Sequence, residues 1–105
     1  MDVPALRRTH RYTVAMRRFR AEFPMCCNPF QLHRYPRATQ QVHHITPLES
    51  DIGGAFERGN LAALCARCHH EAGRRGSDAV YAAMEALAGA GAEPWHAERM
   101  RRRGL

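Results

Sequence analysis

"GNLAALCARCHH", residues 59–70, holds in twelve positions an apolar run, a pair of cysteines two residues apart and a pair of adjacent histidines. Asn60 to Leu64 reads as a short strand or extended segment, and Ala66 to about Ala72 as a short helix stopped by Gly73. The Cys65-Ala66-Arg67-Cys68 spacing lets two thiolates reach one tetrahedral ion. Upstream lies "QVHHITPL", residues 41–48, in which Gln41 to Thr46 reads as a strand closed by Pro47. Neighbouring side chains on a strand point to opposite faces, so His43 and His44 cannot both be filler for one apolar face. Gly53-Gly54 marks a turn region between the two strands. The order is strand, loop, strand, helix.

At 105 residues the chain is expected to form one small domain, burying about 60–70% of its unfolded surface. A core of that size often recruits a metal or disulfides. No apolar run approaches the roughly 18 residues of a membrane span, and the first residues lack the apolar segment of a secretory signal. A cytoplasmic location with no membrane partner is the expectation. Cysteines so spaced in a reducing compartment favour metal over disulfides.

The net charge of +6 is carried by arginine alone, for all 16 basic residues are Arg. A GC-rich coding bias explains the missing lysine but not the placement. Arg7, Arg8, Arg11, Arg17, Arg18 and Arg20 crowd one end, and Arg99, Arg101, Arg102 and Arg103 the other. Guanidinium forks suit phosphate oxygens, and a basic chain suits a polyanionic partner.

Cys65 and Cys68 need two more ligands. The upstream candidates are Cys26, Cys27 and His33. Adjacent cysteines rarely ligate one ion, since the backbone between them must strain to aim both sulfurs inward. The favoured set is therefore Cys26, His33, Cys65 and Cys68, with His33 brought back by a turn at Asn28-Pro29. Cys27 in place of Cys26 or of His33 is the alternative. A zinc ion so held contributes on the order of 10 kcal/mol to folding, comparable with the whole stability of a small domain.

Outside this region, Pro4 to Phe23 reads as one helix with Tyr12, Met16, Phe19 and Phe23 on a single apolar stripe and Pro24 ending it. Ser77 is placed to cap a further helix with the stripe Val80, Tyr81, Met84 and Leu87, ending in the Gly89 to Gly91 stretch. Pro94 opens a last short helix, Trp95 to Arg103.

The sequence "VHHITPL…GNLAALCARCHH" resembles the HNH, or ββα-metal, nucleases, in the bacterial and phage form whose ββα unit is held by a zinc knuckle. The resemblance spans roughly residues 24–76. It implies a small α+β fold: residues 1–23 as an N-terminal helix, 24–76 as the zinc-knuckle ββα core and 77–105 as C-terminal helices. It also implies roles. His44 corresponds to the general base, Asn60 to the residue fixing the loop that orients it, and His43 and His69 to ligands of a catalytic metal.

His43 stands where many members carry Asp, and Gly73 where colicin-like members carry a third histidine. Two imidazoles favour borderline transition metals, so Mn²⁺, Ni²⁺ or Co²⁺ join Mg²⁺ as candidate ions beside the structural Zn²⁺. The activity implied is hydrolysis of a phosphodiester in double-stranded DNA. Arg67, His70, Arg74, Arg101, Arg102 and Arg103 are candidate DNA contacts, and a homodimer or a protein partner would supply specificity. A zinc-ribbon module that binds DNA without cutting it is the competing reading, and an accessory protein of a phage or mobile element that uses the fold as scaffold is another.

Overall fold

The computed structural model describes residues 1–76 and 78–87. Ser77, the Gly89 to Gly91 stretch, the expected helix from Trp95 to Arg103 and the candidate contacts Arg101, Arg102 and Arg103 lie outside the described residues.

The N-terminal segment forms two helices, α1 (Val3–Arg7) and α2 (His10–Glu22), where the sequence pattern predicts one. Thr9 makes the break. Its backbone is extended, its hydroxyl accepts from Tyr12 N at 3.2 Å and donates to Leu6 O at 2.7 Å, so one side chain closes α1 and caps α2. The stripe pattern misses this because Tyr12 continues it while also packing against a second small cluster, Leu6, Leu48 and Ala55. That cluster ties α1 to the loop between the strands.

Strands β1 (Gln41–His44) and β2 (Leu61–Leu64) pair antiparallel, with His43 opposite Ala62 and His44 opposite Leu61. Both are slightly shorter than expected: Asn60 ends a short 3₁₀ turn, Arg58–Asn60, and Thr46 is already drawn into the loop by Asn60. All four residues of β2 are buried. They form the core with Met16, Phe19 and Phe23 of the α2 stripe, Ile45, and Val80 and Met84. A fully apolar strand is what burial on both faces requires.

Helix α3 (Ala66–Arg75) follows directly from β2, and α4 (Ala79–Leu87) packs beside it. Gly73 does not stop α3. An exposed glycine costs a helix only about 1 kcal/mol relative to alanine, and Arg74 and Arg75 both reach back across it to Glu71. The stop is Gly76 at φ 111°, a left-handed position that side chains resist. The chain is thus a small α+β fold with the two-stranded sheet and following helix of a ββα unit. No helix among the described residues is long and apolar enough to cross a membrane.

Candidate active site and metal centre

Between α2 and β1 the chain makes a knuckle. Cys26 N donates to Arg37 O at 2.8 Å and Thr39 N to Pro24 O at 2.8 Å, closing it at the base, while Cys27 N donates to Ala63 O at 2.9 Å and fastens it to β2. Inside, Asn28 adopts a left-handed backbone (φ 47°), accepts from Leu32 N at 2.9 Å and donates to His33 O at 2.7 Å. Asparagine tolerates that conformation better than most residues. The turn returns His33 to the cysteines.

The ligand atoms of Cys26, His33, Cys65 and Cys68 lie within 4.8 Å of one another. Cys27 stands outside this cluster and packs against the core. His33 Nδ1 bonds Tyr35 O at 2.8 Å, which places the proton on Nδ1 and leaves Nε2 as the lone-pair nitrogen. That Nε2 is buried with no protein partner. Burial pushes the Cys68 thiol up, and the neighbouring Cys26 and Cys65 push it further. Three sulfurs and an orphaned imidazole nitrogen around one point are costly as bare protein and suited to a divalent cation, which reverses that penalty. The cluster fits a zinc site.

A cavity of about 360 Å³ is walled by Arg7, Tyr12, His43, His44, Glu49 and His69, among others, and by none of the four clustered ligands. The two histidines of β1 diverge as strand geometry demands. The His43 ring lies 5.4 Å from that of His69 on α3, and the His44 ring stacks 6.1 Å from Tyr12 on α2. The strand stays paired through His44, and both histidines nevertheless line one space. β1 is half of a two-stranded sheet, and the cavity is reached from both of its faces.

His43 Nε2 is buried and unpartnered. Burial, then the neighbouring His69 and His44, hold its pKa down at about 4. Burial lowers the His69 pKa as well, and two imidazoles with one orphaned nitrogen are a donor set that would suit a divalent metal. Among the described residues no third ligand joins them.

His44 is 9% exposed, and its Nε2 lies 3.2 Å from Ala55 O. A carbonyl only accepts, so Nε2 carries the proton and Nδ1 is left basic. Burial lowers the His44 pKa, the Ala55 bond opposes that, and Arg7 lowers it while Glu49 raises it. The imidazole is neutral at pH 7.

Ala55 belongs to the loop between the strands, and Asn60 staples that loop. Its Oδ1 accepts from Thr46 N at 2.7 Å, and its Nδ2 donates to Thr46 O at 3.1 Å and Gly54 O at 3.2 Å. A Cβ at Gly54 would sit 2.7 Å from that Nδ2, so residue 54 must be glycine for the staple to close. Sequence reasoning took Gly53-Gly54 only as a turn and missed Gly54, Arg7, Tyr12 and Glu49. Arg7 had a signal in the N-terminal arginine cluster, and it meets Glu49 at 3.8 Å.

Residues 24–75 match the family model of the HNH endonuclease. This stretch is an HNH domain. The HNH match takes in the knuckle, both strands and α3. Comparison with curated proteins gives no match, and neither does comparison with solved structures. Of the remaining candidate DNA contacts in the HNH domain, Arg67 and His70 are exposed on α3, and Arg74 is engaged with Glu71.

Proposed function

We propose that the chain is a metal-dependent DNA endonuclease that hydrolyses a phosphodiester in the His43, His44 and His69 cavity. One observation carries the reading: a neutral histidine, anchored through Nε2 on a stapled loop, borders the same cavity as two further imidazoles suited to a metal. HNH membership supports a nuclease-type, hydrolytic function, and DNA is the substrate of HNH endonucleases. A DNA-binding zinc ribbon would need the cysteines and arginines but not this histidine arrangement.

In this mechanism His44 Nδ1 takes a proton from water as the water oxygen bonds to phosphorus, the P–O bond to the leaving sugar oxygen breaks, and that oxygen is protonated from solvent. The Ala55 carbonyl holds the imidazole in that tautomer, and its partial negative charge favours the imidazolium that forms. Asn60 keeps Ala55 in place. Arg7 offers a guanidinium to phosphate oxygens, restrained by Glu49 until phosphate competes for it. His43 and His69 would hold a divalent metal, which would supply Lewis-acid charge neutralisation to the reaction. Zinc at Cys26, His33, Cys65 and Cys68 is structural in this proposal.

The test is nicking of supercoiled plasmid with Mg²⁺, Mn²⁺, Ni²⁺ or Co²⁺. His44→Ala should fold and bind DNA yet cleave about 10²-fold more slowly or worse, the usual size of a general-base loss. His69→Ala should also lose activity, partly recovered at raised metal. Wild type that nicks with none of these ions across pH 6 to 9, or His44→Ala that nicks as fast as wild type, would overturn the assignment.

A further inference from the structure

A second cavity, about 280 Å³, opens on the knuckle and shares no lining residue with the histidine cavity. Leu32, His33, Arg34, Tyr35, Arg37 and Arg67 wall it. The wall contains three guanidiniums and no carboxylate. Arg7, Arg58, Arg74 and Arg75 each meet an acid, whereas Arg8, Arg17, Arg18 and Arg20 near α1 and α2 meet none among the described residues, without an exposed aromatic ring set among them. Arg34, Arg37 and Arg67 meet none among the described residues.

Tyr35, between the arginines, is 80% exposed. So large an aromatic surface left in water adds nothing to the core. The segment carrying it is nevertheless held at both ends: His33 Nδ1 donates to Tyr35 O at 2.8 Å, and Cys26 N donates to Arg37 O at 2.8 Å. Pro36 further restricts the backbone of Tyr35. A fixed loop presenting an aromatic ring among unpaired guanidiniums has the two elements that bind an unpaired polynucleotide: a stacking face for a base and cations for its phosphates. In a duplex the base faces are already stacked, so duplex DNA can use the arginines but not the ring.

We infer that the Tyr35 loop and Arg67 form a binding site for single-stranded DNA, separate from the cleavage cavity. The inference rests on the proposed function only in taking DNA as the polymer. It makes DNA with an unpaired segment, such as an overhang or a branch, the preferred substrate class. Arg67 and His69 lie two residues apart on α3, about 200° around its axis. The strand site and the cavity therefore lie on different sides of one helix, and a junction between paired and unpaired DNA could engage both.

The test is fluorescence anisotropy with the full zinc-loaded chain carrying His44→Ala, against oligo(dT), oligo(rU) and a hairpin duplex. Tyr35→Ala should weaken oligo(dT) binding about tenfold or more, Tyr35→Trp should restore it, and the hairpin should change by less than about twofold. Replacing Arg34, Arg37 and Arg67 together by alanine should reduce the log–log salt slope on oligo(dT) by about 2, from three contacts at roughly 0.7 each. Circular dichroism and zinc content check that each variant is folded. Unchanged oligo(dT) affinity in folded Tyr35→Ala, or an equal loss on the hairpin in that same variant, would overturn the strand site. Tighter binding of oligo(rU) than of oligo(dT) by the parent would overturn DNA as its ligand. Failure of wild type to nick plasmid would sink the nuclease reading while leaving these binding results intact.

Discussion

Removing the Asn60 amide tests how the loop over His44 is held. Asn60→Ala deletes three hydrogen bonds, to Thr46 N, Thr46 O and Gly54 O. Each such bond is worth about 0.5–1.5 kcal/mol net, and the part-buried groups left behind raise the cost, so a loss of about 2–4 kcal/mol is expected. A domain with 5–15 kcal/mol in hand stays folded after that loss.

Gly54→Ala acts on the same contact from the other side, since its Cβ would come within 2.7 Å of Asn60 Nδ2 and push the amide off its partners. Once residue 60 is alanine, that clash disappears. The double variant should therefore be less destabilised than the sum of the singles, with a coupling of about 1–2 kcal/mol. Urea unfolding of the zinc-loaded protein gives the four stabilities, and nicking under folding conditions should show each single variant slowed through a misplaced His44. Strict additivity of the two changes, or a cost for Asn60→Ala below about 0.5 kcal/mol, would refute the staple.

Three further outcomes are expected. Purified protein should contain one zinc per chain, Cys65→Ser or Cys68→Ser should be largely unfolded, and His33→Ala should retain less zinc than Cys27→Ser; elemental analysis with circular dichroism decides, and the reverse order would reassign the fourth ligand. The folded-state pKa values of His43 and His44 lie below the ordinary histidine value, so the unfolded chain binds more protons between about 4 and 6.5. Stability of the zinc-loaded protein without added catalytic metal should accordingly rise with pH through that window, and that rise should shrink in His43→Ala. An equal rise in the variant would locate the titration elsewhere. Duplex affinity should fall steeply with salt, and replacing Arg101, Arg102 and Arg103 by alanine should flatten the log–log slope, by up to about 0.9 per lost contact; an unchanged slope would leave that segment without a role in binding.

Local chemistry in the sequence was enough for the ββα order. Leu61–Leu64, the C-x2-C pair and the helix that begins within that pair follow one another directly, so their order is local information even though their ends are not. The His33 turn was legible for the same reason, because Asn28 acts over five residues. The helix ends were read less well. Gly73 looked like a stop in isolation, but Glu71 pairs across it, and the Thr9 break hides inside a continuous apolar stripe.

Read alone, the chain supplied the candidates: two imidazoles that must diverge on a strand, five possible zinc ligands at Cys26, Cys27, His33, Cys65 and Cys68, and an arginine-borne charge. Tertiary structure alone decided what they share. Arg7 meets the histidine cavity because Leu6 packs against Leu48 and Ala55, residues more than forty positions away. Gly54 matters because Asn60 closes on it, and Arg34, Arg37 and Arg67 converge only because the knuckle folds back onto the start of α3. Spacing and periodicity report on neighbours along the chain, whereas these juxtapositions depend on packing between elements, where burial sets which distant side chains face the same water.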